Sequence, residues 1–282
     1  METIAFGSRG SSVIELQGIL GLTKDGIFGA DTREAVKAFQ KENGLTPDGF
    51  VGPNTWSKLL NQTPKLKIDE TVIKKIIEAN SEALTSKLNN KNNKTVSFNP
   101  AEHIIVVAIR GFNEDMGVPN QNDRRIYDDA HFICSPKGIV MFEGNTDPNG
   151  FRKGSGFGSS KGMAVLNNGV WFYGKGSHNG RPSFRQCAPV QVTRDGNPPY
   201  LDFGWFGINW HSGGDTTTSS LGCQTNRPKD YEKLRDYLYK ELDVFNNPKL
   251  CTDWAKNFND SVRSFPYILI DFDKIEKGIY KV

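Results

Sequence analysis

The apolar residues of this chain follow two different periods. Between residues 3 and 60 they are spaced as on helices, with Val13, Leu16 and Leu20 in one stretch and Val36 and Phe39 in the next. Beyond residue 100 the pattern changes to short apolar runs bounded by turn residues, which is how strands read. His103 to Phe112 is almost continuously apolar and predicts a buried strand. Ser135-Pro136-Lys137-Gly138 separates two such runs and predicts a hairpin. A second hairpin is expected about Asn167-Asn168-Gly169, between Met163–Leu166 and Val170–Tyr173. Further strands are expected within 189–210, broken by Asp195–Pro199, and a last one at Tyr267–Phe272. Two stretches in this part return to helical spacing. Asp69 to Leu88 carries Val72, Ile73, Ile76, Ile77, Leu84 and Leu88 and is ended by the Asn-Lys run 89–94. Pro228 to Phe245 has its proline in the favoured first turn. Residues 150–162, rich in Gly, Ser and Lys, read as a mobile loop. The expected class is α+β, with a helical N-terminal unit and a β-rich remainder that has flanking helices.

The helical part is built twice. Val13, Leu16, Gln17, Gly21, Leu22, Thr23, Asp25, Gly26, Gly29 and Thr32 recur 23 residues later. Their counterparts are Val36, Phe39, Gln40, Gly44, Leu45, Thr46, Asp48, Gly49, Gly52 and Thr55. A fixed period means one small unit used twice and packed on itself. Each copy reads as a helix followed by a Thr-x-Asp-Gly turn, in which Gly26 and Gly49 supply the positive φ. Thr32 and Thr55 stand where an N-cap would start the next helix. Taken alone, this describes a helical mini-domain. The repeat also closely resembles the peptidoglycan-binding module of three short helices found on many cell-wall enzymes, over residues 3–60. That resemblance implies bacterial peptidoglycan as partner. It also implies Asp25, Gly26, Gly29, Thr32, Asp48, Gly49, Gly52 and Thr55 as the wall-binding set. The expected boundaries are 1–62 for this domain, 63–68 for a polar linker and 69–282 for a catalytic domain.

Composition narrows the partners. The 282 residues carry 24% charged and 37% hydrophobic side chains and a formal net charge of +3. That mild excess suits an anionic polymer and falls short of a nucleic-acid footprint, so no nucleic acid is expected. The lysines Lys87, Lys91 and Lys94 read as a solvated surface. No apolar run reaches the length of a membrane span, so no insertion is expected. Met1-Glu2-Thr3-Ile4 runs into the repeat without a basic and then apolar leader. The chain is therefore expected to be made in a host cytoplasm and to act at the wall after release. A phage lysin fits this, as does a bacterial protein truncated in cloning. A monomer is expected. Cys134, Cys187, Cys223 and Cys251 form no C-x-x-C pair, and reduced thiols are expected.

The candidate chemistry lies in Gly207–Asn226. A strand delivers His211, a loop of small residues follows, and Ser-x-Gly-Cys places Cys223 ahead of a helix-forming stretch. A thiol with a pKa of about 8.5 needs an imidazole or a positive dipole to become a useful nucleophile. His211 can supply the first. Gly222 lets a substrate carbonyl approach, and the N–H groups around Cys223 can hold an oxyanion. Spacing alone fits equally a Cys and a His that share a loop and are both buried. The strand, His211-Ser212, loop and Ser220-Leu221-Gly222-Cys223 together resemble the L,D-transpeptidase catalytic domain family, most closely over 207–228. Those enzymes are β-rich cysteine acyl-transferases acting on peptidoglycan stem peptides. The resemblance implies Cys223 as nucleophile, His211 as general base, the Ser212 carbonyl as its orienting group, and the Gly222 and Cys223 amides as oxyanion donors. Asn209, Ser220, Asn226, Arg227 and His178 are expected as substrate-binding residues. His178 by itself reads as a solvated turn histidine. Three departures stand out. Leu221 replaces a common His, Thr225 replaces a common Arg or Asn (with Asn226 and Arg227 just beyond), and the His-to-Cys loop is short. They bear on transpeptidation more than on the nucleophile. If an amine attacks the acyl-enzyme a crosslink forms; if water attacks, the peptide is cut, and hydrolysis is the expected outcome.

Other chemistries remain open at this level. A zinc peptidase would need ligands such as His131, Asp202 and His211, although no H-x-H or H-E-x-x-H pairing is present. A glycosidase would need two carboxylates across a cleft, drawn from Glu102, Glu114, Asp115, Asp128, Asp129 and Glu143. A wall-binding structural protein would need neither and would leave Cys223 inert. No metal and no cofactor are called for by the Cys–His reading. Asp128-Asp129 reads as a solvated turn. Trp171, Phe172, Tyr173, Trp205, Phe206 and Trp210 read as core packing rather than saccharide stacking.

Overall fold

The computed structural model describes residues 3–62, 68–86, 95–112, 124, 126–151, 161–251 and 261–282. Lys87, Lys91, Lys94, the run 89–94, Glu114, Asp115, linker residues 63–67 and most of the Gly-rich stretch 150–162 lie outside them. The chain divides into two compact units, Met1–Lys67 and Ile68–Val282. It is α+β, with a helical first unit and a β-rich second one.

The first unit consists of α1 (Ser11–Ile19), α2 (Ala30–Glu42) and α3 (Pro53–Gln62). Their apolar faces meet in a core of Val13, Leu16, Phe28, Val36, Phe39, Val51, Trp56 and Leu59. The repeat is visible in its hydrogen bonds. Buried Gln17 donates through Nε2 to Asp25 Oδ1 at 2.7 Å, the Ile27 carbonyl at 3.0 Å and Thr32 Oγ1 at 3.3 Å. Its Oε1 accepts the Gly26 N–H at 2.9 Å. Gln40 repeats the set with Asp48 at 2.8 Å, the Phe50 carbonyl at 2.9 Å, Thr55 at 3.1 Å and the Gly49 N–H at 2.9 Å. Gly26 and Gly49 have φ of 71° and 78°, the left-handed turn that their type permits.

These bonds correct the expected role of the threonines. Gly29, not Thr32, is the N-cap of α2, and α3 begins at Pro53, ahead of Thr55. The carbonyls of Gly29 and Gly52 accept the first helical N–H groups, from Arg33 and Trp56. Thr32 and Thr55 are buried and face the glutamines. Thus Asp25, Gly26, Thr32 and their copies brace each turn. The hydrogen bond from Gln17, then the Ile27 amide, hold the Asp25 carboxyl below its ordinary range. For Asp48 the Phe50 amide comes first and Gln40 second.

In the second unit, α4 (Glu70–Ala79) starts at Asp69, whose carboxylate accepts the Thr71 and Val72 N–H groups. It ends earlier than its apolar spacing predicts. Asn80 Nδ2 donates to the Ile76 carbonyl and to the Tyr280 carbonyl, both at 2.8 Å, which stops the helix against the C-terminal segment. The chain then forms β1 (Thr85–Ser86) and β2 (Val96–Ser97), which pair with each other. The strands that follow are β3 (Ile105–Arg110), β4 (Asp129–Ser135), β5 (Gly138–Gly144), β6 (Ala164–Leu166), β7 (Gly169–His178), β8 (Arg181–Gln186), β9 (Val190–Arg194), β10 (Tyr200–Gly204), β11 (Trp210–Ser212) and β12 (Gln224–Asn226). After α5 (Pro228–Val244) come β13 (Lys249–Leu250), β14 (Val262–Asp271) and the short α6 (Phe272–Glu276).

The main sheet runs β12-β11-β8-β7-β14-β3-β4-β5, with β13 added on β14. Two pairs are parallel, β14 with β3 and β11 with β12. The two ends meet, because Asn145 and Thr225 exchange backbone hydrogen bonds at 2.7 and 2.8 Å. A smaller sheet, β10-β9-β6, lies apart from this path. The buried strand β3 and the β4–β5 hairpin at Ser135–Gly138 form as expected. The hairpin expected about Asn167–Gly169 does not. β6 pairs with β9, while β7 pairs with β8 and β14, so Asn167-Asn168 connects two different sheets. The core gathers Tyr173, Phe184, Trp210, Phe265 and Tyr267, over which α5 lays Tyr231, Leu234, Leu238 and Leu242. Those α5 positions recur at helical spacing, which makes one face apolar.

Replacing Gln40 by Ala leaves the Asp48, Gly49 and Thr55 groups without their buried partner. The expected loss is about 1–3 kcal/mol, read as a lower midpoint for the N-terminal unit's transition in a calorimetric scan.

Candidate active site

His211 lies in β11 and Cys223 directly precedes β12, so the parallel pairing of these two short strands brings both to one end of the sheet. The residue after Cys223 therefore enters a strand, and the helix expected there begins only at Pro228. Pairing of Trp210 with Gln224 and of His211 with Thr225 sets the register. The Cys223 thiol lies within interaction range of the His211 ring. It also donates to the Gly207 carbonyl at 3.4 Å and accepts the Asn209 N–H at 3.4 Å. The Ser212 carbonyl accepts from His211 Nδ1 at 2.8 Å. A carbonyl can only accept, so Nδ1 carries a proton and Nε2 is left for the thiol. Burial pushes the His211 pKa down. The hydrogen bond and charge attraction of Cys223, with the Ser212 carbonyl, outweigh it and raise the pKa above the ordinary 6.5.

The turn before the nucleophile is held by Ser220. Its hydroxyl accepts the Gly222 N–H at 2.9 Å and donates to the Cys223 carbonyl at 2.6 Å. The Gly222 amide is thus engaged within the turn. The Cys223 N–H takes no acceptor among the described residues. Gly222 itself has a φ of 150°, and a Cβ there would stand 2.5 Å from the Ala164 carbonyl oxygen. Leu221, next to it, is 48% exposed. The His-to-Cys loop is braced from outside by Tyr127, whose hydroxyl donates to the Gly214 carbonyl at 2.8 Å and the Thr217 carbonyl at 3.2 Å. No local pattern in the sequence ties Tyr127 to these residues some 90 positions away.

The residues expected to bind substrate divide. His178 and Asn209 join the Cys–His pair: the His178 and His211 rings stack with centroids 4.7 Å apart. Asn209 is buried beside Cys223. Arg227 places its guanidinium over the Tyr127 ring, 5.0 Å from the centroid. Ser220 is buried and braces the turn. Asn226 is fully buried and faces inward, the opposite of a substrate contact. Its Oδ1 accepts from Trp210 Nε1 at 2.6 Å, and its Nδ2 donates to His131 Nδ1 at 3.1 Å and to the Glu143 carbonyl.

Among the described residues the zinc ligands considered above do not assemble. His131 is sealed in the core, where burial pushes its pKa down to about 3. Asp202 pairs with Lys161 at 2.9 Å and Arg194 at 3.1 Å. Among the described residues no group of three or more His, Cys, Asp or Glu side chains forms a metal cluster. Asp128 and Asp129 are buried rather than in a solvated turn. Asp129 accepts the Gly111 and Thr146 N–H groups. Burial, then Asp128 and Asp147, pushes its carboxyl well above the ordinary range. Glu102 is exposed and bonded to Asn99 at 2.9 Å. Of the expected core aromatics, Tyr173 and Trp210 are fully buried, whereas Trp205 is exposed. Of the four cysteines, Cys134, Cys187 and Cys251 are buried and Cys223 is half-buried.

Comparison with known proteins places the first unit. Residues 9–59 match the family model described as a putative peptidoglycan binding domain. An uncharacterized protein of Kitasatospora aureofaciens is 55% identical over 40 residues, which cover 14% of this chain and 34% of that protein. A Burkholderia AP3 phage endolysin is 26% identical over 40% of this chain and 46% of its own, with a TM-score of 0.21. The L,D-transpeptidase from Xylanimonas cellulosilytica is 16% identical over 96% of this chain and 98% of its own, with a TM-score of 0.26.

Two outcomes test this geometry. The His211 pKa, read by NMR titration of its ring protons, should lie above 6.5 in the wild type and fall in Cys223→Ala. Because the folded value is raised, the interaction stabilises the fold below pH 6.5 and is lost as the pH rises through the shifted value. Gly222→Ala should cost about 1–3 kcal/mol through backbone strain, seen as a lower unfolding midpoint.

Proposed function

We propose that this chain is a modular peptidoglycan hydrolase of the endolysin kind, cutting stem or cross-link peptide bonds through a Cys223 thioester. The single observation that carries the reading is the half-buried thiol beside a His211 ring whose far side is held by the Ser212 carbonyl. The peptidoglycan-binding match over 9–59 supports the substrate. In this reading residues 1–62 dock on the wall, 63–68 link, and 69–282 cut. Docking raises the local substrate concentration, so weak binding still drives catalysis.

The proposed steps follow from the residues present. Cys223 gives its proton to His211 Nε2 as sulfur attacks the scissile carbonyl carbon. The carbonyl oxygen takes up charge next to the Cys223 N–H. The C–N bond breaks, and His211 passes the proton to the departing amine. Water then attacks the thioester with His211 as base, the C–S bond breaks and the thiol is restored. Crosslinking would share the first half and use an amine in place of water. Exposed Leu221 offers no polar group to hold an acceptor amine beside the sulfur, which favours water.

The test is digestion of purified peptidoglycan by wild type and Cys223→Ala, with mass spectrometry of the soluble fragments. New peptide termini that vanish in the mutant are expected, with a rate loss of at least about a thousandfold. New reducing sugar ends, unchanged products in the mutant, or larger crosslinked products would reject the hydrolase reading.

A further inference from the structure

His178 closes β7, just before a tight turn in which Asn179 and Gly180 have φ of 51° and 76°. β8 returns Arg185 to its side. The His178 ring lies flat on His211, with an interplanar angle of 11°. Its Nδ1 meets two donors, Asn209 Nδ2 at 3.2 Å and Arg185 Nη1 at 3.5 Å. The Asn209 amide is oriented by its own Oδ1, which accepts the Gln186 N–H at 3.4 Å, so nitrogen is the atom that faces His178. A ring nitrogen that accepts carries no proton, and neutral His178 therefore bears its proton on Nε2. The charged and titratable groups around it are Arg185 from β8, His211 from β11 and, beyond His211, Cys223. Burial, then His211 and Arg185, pushes the His178 pKa down to about 4. Of the two stacked rings, His211 is thus the one whose surroundings favour the proton.

We propose that His178 is a positioning residue that fixes the plane of the His211 ring against Cys223 by face-to-face stacking, with Asn209 and Arg185 holding His178 in turn. This rests on Cys223 and His211 being the working pair. Asn209 serves both sides of the arrangement, its side chain on His178 and its backbone N–H on the Cys223 sulfur. A ring held on one edge by the Ser212 carbonyl can still swing about that bond. The stack removes the swing and keeps Nε2 on the thiol.

Two variants separate the ring face from the hydrogen bonds. His178→Phe keeps a flat ring and loses the acceptor; His178→Gln keeps an acceptor and loses the ring. The full-length protein is alkylated with iodoacetamide from about pH 5 to about pH 9, spanning the imidazole range. Peptide mass mapping confirms reaction at Cys223, which the burial of the other three thiols favours. His178→Gln should slow alkylation near neutral pH by about threefold to tenfold, the range that one lost ring stack supports. It should also shift the midpoint of the pH profile. His178→Phe should keep most of the wild-type rate. A His178→Gln profile that superimposes on the wild type, while His211→Ala is slow, would overturn the positioning role alone. A Phe variant as slow as Gln would overturn stacking as its cause. Wild-type reactivity in His211→Ala would overturn the Cys–His reading itself and this inference with it. The probe is small and needs no wall substrate, so these outcomes are independent of which peptidoglycan bond is cut.

Discussion

The reciprocal backbone bonds between Asn145 and Thr225 join the two ends of the main sheet, and the site depends on that closure. Without it β12 would be an edge held only by β11, and the residue before β12 is Cys223. The closure is reinforced by one side chain. Asn226 ties Trp210 of β11, His131 of β4 and the Glu143 carbonyl of β5. Asn226, Trp210 and His131 are buried, and each would carry a desolvation cost if left unpaired. The seam therefore forms as a unit, and the His–Cys geometry forms with it.

A chain of neutral hydrogen bonds runs from this seam to the nucleophile turn. His131 accepts from Asn226 at Nδ1, so its Nε2 donates to the Tyr267 hydroxyl at 3.1 Å. Tyr267 donates to Gln224 Oε1 at 3.1 Å, and Gln224 Nε2 reaches the Gly222 carbonyl at 3.4 Å. Every donor has its direction set by the previous partner, which favours one arrangement of the buried polar groups. The packing leaves room for it only because Gly144 lacks a Cβ, which would stand 2.2 Å from the His131 ring.

Near the same seam a buried cation is neutralised. Arg110, at the end of β3, pairs with Asp147 at 3.2 Å and Asp271 at 3.5 Å, and it donates to the Leu166 carbonyl at 2.8 Å. Burial opposes its charge, but Asp147, Asp271 and Asp129 outweigh that and raise its pKa. Such a set costs little while complete and much when one member is removed. It links β3, β14 and the segments after β5 and β6, and so orders the connection between the two sheets.

Local signals were enough for part of this protein. The 23-residue repeat, the buried β3, the Ser135–Gly138 turn, α5 and the strand carrying His211 could all be read from periodicity and turn residues, because neighbours in sequence decide them. The Asn179-Gly180 turn has its signal in the residue pair itself, whereas the similar signal at Asn167–Gly169 marks a connection between two sheets. What pairing across long separations decides was not legible. β6 leaves β7 for β9, three buried residues after Cys223 become a strand against β11, and Asn226 turns inward because the sheet closes on it. The sequence by itself determined which chemistry was available, a Cys, a His and a repeated helical unit. Only the tertiary structure decided that His178 lies on His211 and that the Gly222 amide is engaged within its turn. Those contacts join residues of different strands, and their free energy depends on burial that no local stretch possesses.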